Sequence, residues 1–316
     1  MKIAHVLGSL GMGGAERVAL DLAHEQVRAG HEVVAISLAE TPGGAMAEAF
    51  SAAGIMVHHV PKLPGLDWRL PTRSARCLRR LGIQVVHTHN TRPLAYVSAA
   101  ARLSGMVVVH TKHAEGHLVS RAGQILRRTS APFVHRFVAV SEATAAHARS
   151  QRAYPFPRRI HVIENGIRMD THRPNPEARR EIRRELGIPE DAWLVGSIGR
   201  VDDNKNQAAL VRAMEPTLGP RMQLILVGEG ERMQALRAVV DATGKSSYVH
   251  ILGRRNDAHR VMAALDVFAL CSKSEGLPLV ILEAMATARA VVSTDVGGIA
   301  DVVAHETSGL LVPPGD

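Results

Sequence analysis

Short apolar runs rich in Val, Ile and Leu recur along this chain, and longer stretches with helical spacing of apolar positions lie between them. That alternation is the pattern of parallel sheets joined by crossover helices, so the predicted class is α/β. The first series of predicted strands comprises Ile3–Leu7, Val33–Leu38, Met56–Val60, Val85–Thr88, Val107–Thr111, Phe137–Val140 and Ile160–Ile163. A helix is expected over Ala15–Ala29, closed by Gly30 as its C-terminal cap. A second series begins afresh with Trp193–Ile198, Gln223–Val227, Tyr248–Leu252, Val267–Leu270 and Ala290–Thr294. Two doubly wound sheets result. Between the series, Asn165-Gly166-Ile167 reads as a turn, and Arg173-Pro174-Asn175-Pro176 can continue neither strand nor helix. The linker therefore falls near 166–176, giving domains of 1–168 and 169–316, the second opening with a charged surface helix over Glu177 to Leu186.

Composition narrows the class without naming a chemistry. Hydrophobic residues make up 46% of the 316 and charged ones 22%, which fits two globular cores and excludes a disordered or fibrous chain. Cys77 and Cys271 lie far apart in apolar segments, predicting buried free thiols in a reducing compartment; no zinc motif is present. No apolar stretch approaches the ~20 residues of a membrane span, and the N-terminal run reads as a first strand; a cytoplasmic address is expected. The charge of +8 is uneven: residues 1–165 hold 20 Lys/Arg against 10 Asp/Glu, while 166–316 hold 18 against 20. The first half is thus expected to meet an anionic partner, with a merely solubilising basic surface as the alternative. Nucleic acid is not favoured, because aromatics are only 3% and no stacking platform appears. Arg69, Arg73, Arg76 and Arg80 recur at helical spacing opposite Leu70, Cys77, Leu78 and Leu81, so 66–81 can present a basic amphipathic face to an anionic membrane surface; a domain helix with a solvated arginine face is the alternative.

In open parallel sheets ligands bind outside the carboxyl ends of the strands, which directs attention to the loops. After Val267–Leu270 comes Glu275-Gly276-Leu277-Pro278 and then an apolar helix, with Pro278 expected at its first position. The free amides around Leu279 and Val280 suit a pyrophosphate. Glu275 precedes those amides and Glu283 follows them in the helix, so one carboxylate can reach a sugar while the other accepts from ribose hydroxyls. As bare spacing, such a pair is weak evidence.

The stretch from Glu275 through Glu283-Ala284-Met285-Ala286 resembles the E-x7-E signature of family 4 retaining glycosyltransferases. Gly199-Arg200 with Lys205-Asn206 is similar to that family's G-R…K-N segment, and Val227-Gly228-Glu229-Gly230, Leu252-Gly253-Arg254-Arg255 and Gly297-Gly298 are similar to its nucleotide-pocket loops. Gly13-Gly14-Ala15-Glu16 resembles its G-G-x-E turn, while the preceding glycines do not fit the dinucleotide fingerprint, which discounts a dehydrogenase.

The resemblance covers nearly the whole chain and implies a GT-B fold, two Rossmann-like domains facing a central cleft, with an acceptor-side N-terminal domain and a nucleotide-sugar-binding C-terminal domain. Because the chain ends at Pro313-Pro314-Gly315-Asp316, the second domain is expected to lack its final helices. The implied activity is transfer of a hexose or hexosamine from a UDP- or GDP-sugar, with retention, to a hydroxyl of a polysaccharide or lipid-linked glycan. By the same resemblance Glu275, His113, Arg200 and Lys205 are catalytic; Gly14, Gly228, Arg254, Leu277, Leu279, Val280 and Glu283 bind the donor; and Glu16 and Asn90, with weaker support Glu142, face the acceptor. No metal or other cofactor is expected. The expected address is the cytoplasm, either free or peripheral on the inner face of the membrane. Rival readings are a sugar-nucleotide epimerase or phosphorylase on the same scaffold, or a non-catalytic sugar-nucleotide-binding protein.

Overall fold

The structure, a computed structural model, describes residues 1–114, 121–150 and 160–315. Its contacts divide the chain into Met1–Asn165 and Gly166–Asp316. In unit 1 the strands are β1 (Lys2–Leu7), β2 (Glu32–Ser37), β3 (Met56–His59), β4 (Val85–His89), β5 (Val107–Lys112), β6 (Arg136–Ala139) and β7 (Ile160–Val162). The helices are α1 (Gly14–Arg28), α2 (Ala45–Ala52), α3 (Leu70–Arg80), α4 (Thr91–Leu103), α5 (Arg121–Ser130) and α6 (Glu142–Ser150). Unit 2 carries α7 (Pro176–Glu185), β8 (Trp193–Ile198), α8 (Gln207–Met214), β9 (Met222–Val227), α9 (Met233–Ala242), β10 (Val249–Gly253), α10 (Ala258–Ala264), β11 (Val267–Leu270), α11 (Leu279–Ala286), β12 (Ala290–Thr294) and β13 (Leu310–Val312).

Both sheets are parallel and doubly wound. Unit 1 runs β3-β2-β1-β4-β5-β6-β7 and unit 2 runs β10-β9-β8-β11-β12-β13. The strand order reverses between β1 and β4 in the first and between β8 and β11 in the second, and such a switch point leaves a crevice at the strand ends. Central strands covered on both faces read as continuous apolar runs: Ala4, Val86, Leu194, Leu224, Ile225 and Phe268 are all fully buried. Together the two sheets give the GT-B architecture.

Three sequence expectations change. The helix over 177–186 is not only a surface helix: Arg183 is fully buried, donating to the carbonyls of Pro189 and Ala192 and, at 2.7 Å, to Asp266. Asp266 also takes Arg179 at 2.7 Å and the Leu194 amide at 2.7 Å, so a charged pattern conceals a buried ion network that ties α7 to β8 and to the start of β11. Pro278 is the N-cap of α11 in extended conformation (φ −73°, ψ 123°), and the helix proper begins at Leu279. Cys77 and Cys271 are free, as expected, but only half-buried.

The arginine face of α3 is also reshaped. Asp67, 5% exposed, accepts from the amides of Leu63, Arg69 and Leu70 and pairs with Arg73, so Arg73 is committed to anchoring the helix start. Arg69, Arg76, Arg79 and Arg80 remain exposed. Beside them, Leu63, Leu66 and Trp68 are exposed at 52%, 47% and 77%. No described helix is long and apolar enough to cross a membrane.

Candidate functional site

Within unit 2 the switch-point loops after β8 and β11 are stitched together. The Asn204 side-chain amide donates to the Ser274 carbonyl at 2.8 Å, and the Lys273 amide donates to the Asn204 carbonyl at 2.8 Å. Asp202 accepts the Lys205 amide at 2.8 Å, turning the loop so that Lys205 Nζ reaches Glu275 Oε1 at 2.6 Å. The two side chains are 16% and 11% exposed, shielded enough to hold their geometry yet open to a ligand. Residues seventy apart in sequence meet because β8 and β11 are adjacent strands.

Glycine is required where this frame closes. A Cβ on Gly228 (φ 138°) would stand 1.8 Å from the Gly199 carbonyl oxygen. One on Gly297 (φ 62°) would stand 2.1 Å from the Glu275 carbonyl oxygen, so the backbone of the β12 loop packs directly on the loop that leads into α11. The Gly298 amide then donates to the Gly276 carbonyl at 2.6 Å.

Behind this frame, the amides of Leu279 and Val280 open α11 with no helical carbonyl before them, a partial positive charge suited to a diphosphate. Leu277 and Leu279 are buried and shape the loop from beneath. Glu283, 18% exposed, lies one turn into the helix with His172 at 3.5 Å. Arg200 does not join Lys205 and Glu275: its side chain is 68% exposed and lies 3.2 Å from Asp202. Arg254 follows β10, outside the switch point, and is exposed, whereas its neighbour Arg255 is fixed by Glu185 and Asp257.

In unit 1, Gly14 begins α1 and Glu16 sits in its first turn, folded back toward Gly13. Asn90 caps α4 with φ 63° and ψ 179°, a strained backbone for a residue with a side chain, and that side chain is exposed at the end of β4. Glu142 begins α6 and pairs with Arg149 at 3.1 Å. His113 follows β5 and belongs to a cluster of histidines at the carboxyl ends of β1, β4 and β5. His113 Nε2 lies 2.9 Å from His89 Nδ1, His89 Nε2 lies 2.9 Å from His5 Nδ1, and His5 Nε2 lies 2.8 Å from Gln26 Oε1. His87 bonds Thr111 at 2.7 Å, and His110 bonds Thr88 at 2.9 Å. Burial disfavours the imidazolium throughout: it lowers His5 and His113 to about 4 and His110 to about 3, and pushes His87 and His89 well below their usual value.

His5, His87 and His89 each offer a nitrogen within 4.8 Å of the others, the spacing of a metal site. However, His87 and His89 stack with ring centroids 4.2 Å apart, and His5 and His89 already spend their facing nitrogens on each other. Stacked, hydrogen-bonded imidazoles suit a relay better than a coordination sphere.

Sequence reading missed Asn204, Asp202, His172 and the histidine relay. Asp202 carried a signal in its place three residues before Lys205, the spacing of a side-chain-capped turn. The others are contacts made only by the fold.

Residues 12–171 match the family described as Glycosyltransferase Family 4, and residues 193–316 match Glycosyl transferases group 1. D-inositol 3-phosphate glycosyltransferase of Xylanimonas cellulosilytica is 30% identical over 95% of this chain and 79% of that protein. The UDP-Gal:alpha-D-GlcNAc-diphosphoundecaprenol alpha-1,3-galactosyltransferase of Escherichia coli is 28% identical over 76% of this chain and 65% of that protein. Among solved structures, Anabaena HepE in complex with UDP-glucose superposes with a TM-score of 0.85 at 24% identity, covering 100% of this chain and 86% of that one.

Proposed function

This chain belongs to glycosyltransferase family 4, and on that premise we propose that it moves a hexose or hexosamine from a UDP- or GDP-sugar, with retention, to a hydroxyl of a polysaccharide or lipid-linked glycan. The observation that carries the reading is the Lys205–Glu275 pair at the unit 2 switch point, immediately before the amide-presenting start of α11. A cation and a helix start together neutralise a departing diphosphate without a metal, and a shielded site strengthens both. Lys205 then stabilises the leaving group, joined by Arg200 once its exposed side chain turns inward. Glu275 holds Lys205 in place and positions the sugar as its anomeric bond loosens toward an oxocarbenium ion. Glu283 accepts from the ribose hydroxyls. The acceptor's proton passes to the leaving phosphate. His113, neutral near pH 7, contributes a hydrogen bond to the sugar instead of a charge. Glu16 and Asn90 serve the acceptor.

The names of the relatives agree with a nucleotide-sugar donor and a lipid-linked acceptor. HepE binds UDP-glucose, and the E. coli enzyme uses UDP-Gal and a diphosphoundecaprenol-linked sugar. A lipid-linked acceptor also fits the exposed Leu63, Leu66 and Trp68 in the segment that leads into α3 and the exposed Arg69, Arg76, Arg79 and Arg80, apolar and cationic groups that suit an anionic headgroup layer.

Thermal shift with UDP- and GDP-sugars identifies the donor, since a ligand bound only by the folded state raises its stability. Incubation of that donor with and without lipid-linked glycan then tests transfer. Epimerised donor without acceptor, phosphate-dependent sugar release, or tight binding with no turnover would each replace the transferase reading by one of its rivals.

A further inference from the structure

The histidine chain in unit 1 has a direction, and its far end sets it. Three links join Gln26, His5, His89 and His113 at 2.8, 2.9 and 2.9 Å. A neutral imidazole carries one N–H, so each ring in such a chain donates through one nitrogen and accepts through the other. Gln26 presents its carbonyl oxygen Oε1, which only accepts. His5 must therefore be protonated on Nε2 and accept on Nδ1; His89 must donate from Nε2 and accept on Nδ1; His113 must donate from Nε2. The Nδ1 of His113 is left with a bare lone pair, and that atom is buried and has no hydrogen-bond partner among the described residues. What the position lacks is a proton donor.

We propose that Gln26, His5 and His89 are positioning residues that fix His113 in its Nε2–H tautomer, so that Nδ1 accepts a hydroxyl of the transferred sugar; this rests on the glycosyltransferase reading above. The depressed proton affinity of all three rings keeps the relay neutral near pH 7, so the direction is not scrambled by an imidazolium with two donors. His89 lies nearly coplanar with both His5 and His113, at interplanar angles of 20° and 29° and 5.2 Å between centroids in each case, the edge-to-edge orientation the two bonds require. Gln26 lies on α1, twenty-one residues from His5, and touches the sugar only through this chain.

The test uses the full 316-residue chain labelled with 15N-histidine, with His113 signals identified by their loss in His113→Asn. Side-chain 15N spectra of the unliganded protein should show His113 with a protonated Nε2 and a bare Nδ1. Gln26→Met, close in shape but without an acceptor, should give a mixture of tautomers and lower kcat about three- to tenfold with the donor that supports transfer. Gln26→Glu keeps an acceptor and should restore both the single tautomer and kcat. A merely structural role predicts the reverse order, since a new charge on a half-buried helix face disturbs packing more than methionine does. An Nδ1–H tautomer in the unsubstituted protein, or Gln26→Met with unchanged His113 signals, would overturn the relay. The spectra need no substrate, so absence of transfer with the expected tautomer would refute the functional reading and leave the relay standing.

Discussion

Acidification should unfold the first unit well before pH alone threatens an ordinary α/β domain, because its sheet carries histidines that the folded state keeps neutral. In the unfolded chain each titrates at 6.5; folded, His5 and His113 titrate at about 4 and His110 at about 3. The folded values are depressed, so below 6.5 the unfolded state binds protons that the folded state refuses. Stability is complete above 6.5 and falls as pH drops toward about 4. For a single group shifted from 6.5 to about 4, linkage gives a loss of about 2 kcal/mol at about pH 5. Two such groups approach the ~5 kcal/mol at the lower end of domain stabilities. Urea unfolding near pH 7 and near pH 5, followed by hydrogen-exchange mass spectrometry, separates peptides of Met1–Asn165 from those of Gly166–Asp316. The midpoint of the first unit should drop sharply, with β1, β4 and β5 losing protection together. The second unit, where the half-buried His250 is lowered, should drop less. Equal midpoints for the first unit at both pH values would refute the reasoning.

Replacing Arg183 by Met leaves Asp266 with one partner fewer and strands the carbonyl of Ala192; a loss of about 3 kcal/mol in urea unfolding of the second unit is expected. Lys205→Met and Glu275→Gln should each lower kcat about a hundredfold or more while leaving the unfolding midpoint nearly in place, as steady-state assays and denaturation would show. Trp68→Ser combined with Leu66→Ser should abolish cosedimentation with vesicles containing phosphatidylglycerol and spare turnover on a soluble acceptor analogue.

Much of this fold is legible in apolar runs: β8, β11 and β12 fall where the sequence pattern ends and begins them, because buried parallel strands carry an unbroken apolar signal. β13 was not predicted: Leu310–Val312 is apolar, but three residues between a glycine and a proline are too short a run to mark a strand. Glu275 and Lys205 could each be found from their loops, but their pairing depends on which strands become neighbours, a global property. Arg183 was misread for a physical reason. Its neighbours alternate in charge like a solvated helix, and only Asp266, eighty-three residues away, makes burial of that guanidinium tolerable. The histidine relay was equally hidden, since His5 and His89 sit on two strands and His113 just past a third, and they meet only once the sheet is formed.

The central claim is that this chain transfers a sugar with retention from a nucleotide donor, and proton NMR of the product tests it most directly. With the donor selected by thermal shift and a lipid-linked glycan as acceptor, the anomeric signal of the new linkage should carry the configuration the sugar had in the donor, and should vanish in Glu275→Gln. A product of inverted configuration, or an unchanged rate in that variant, would contradict the account.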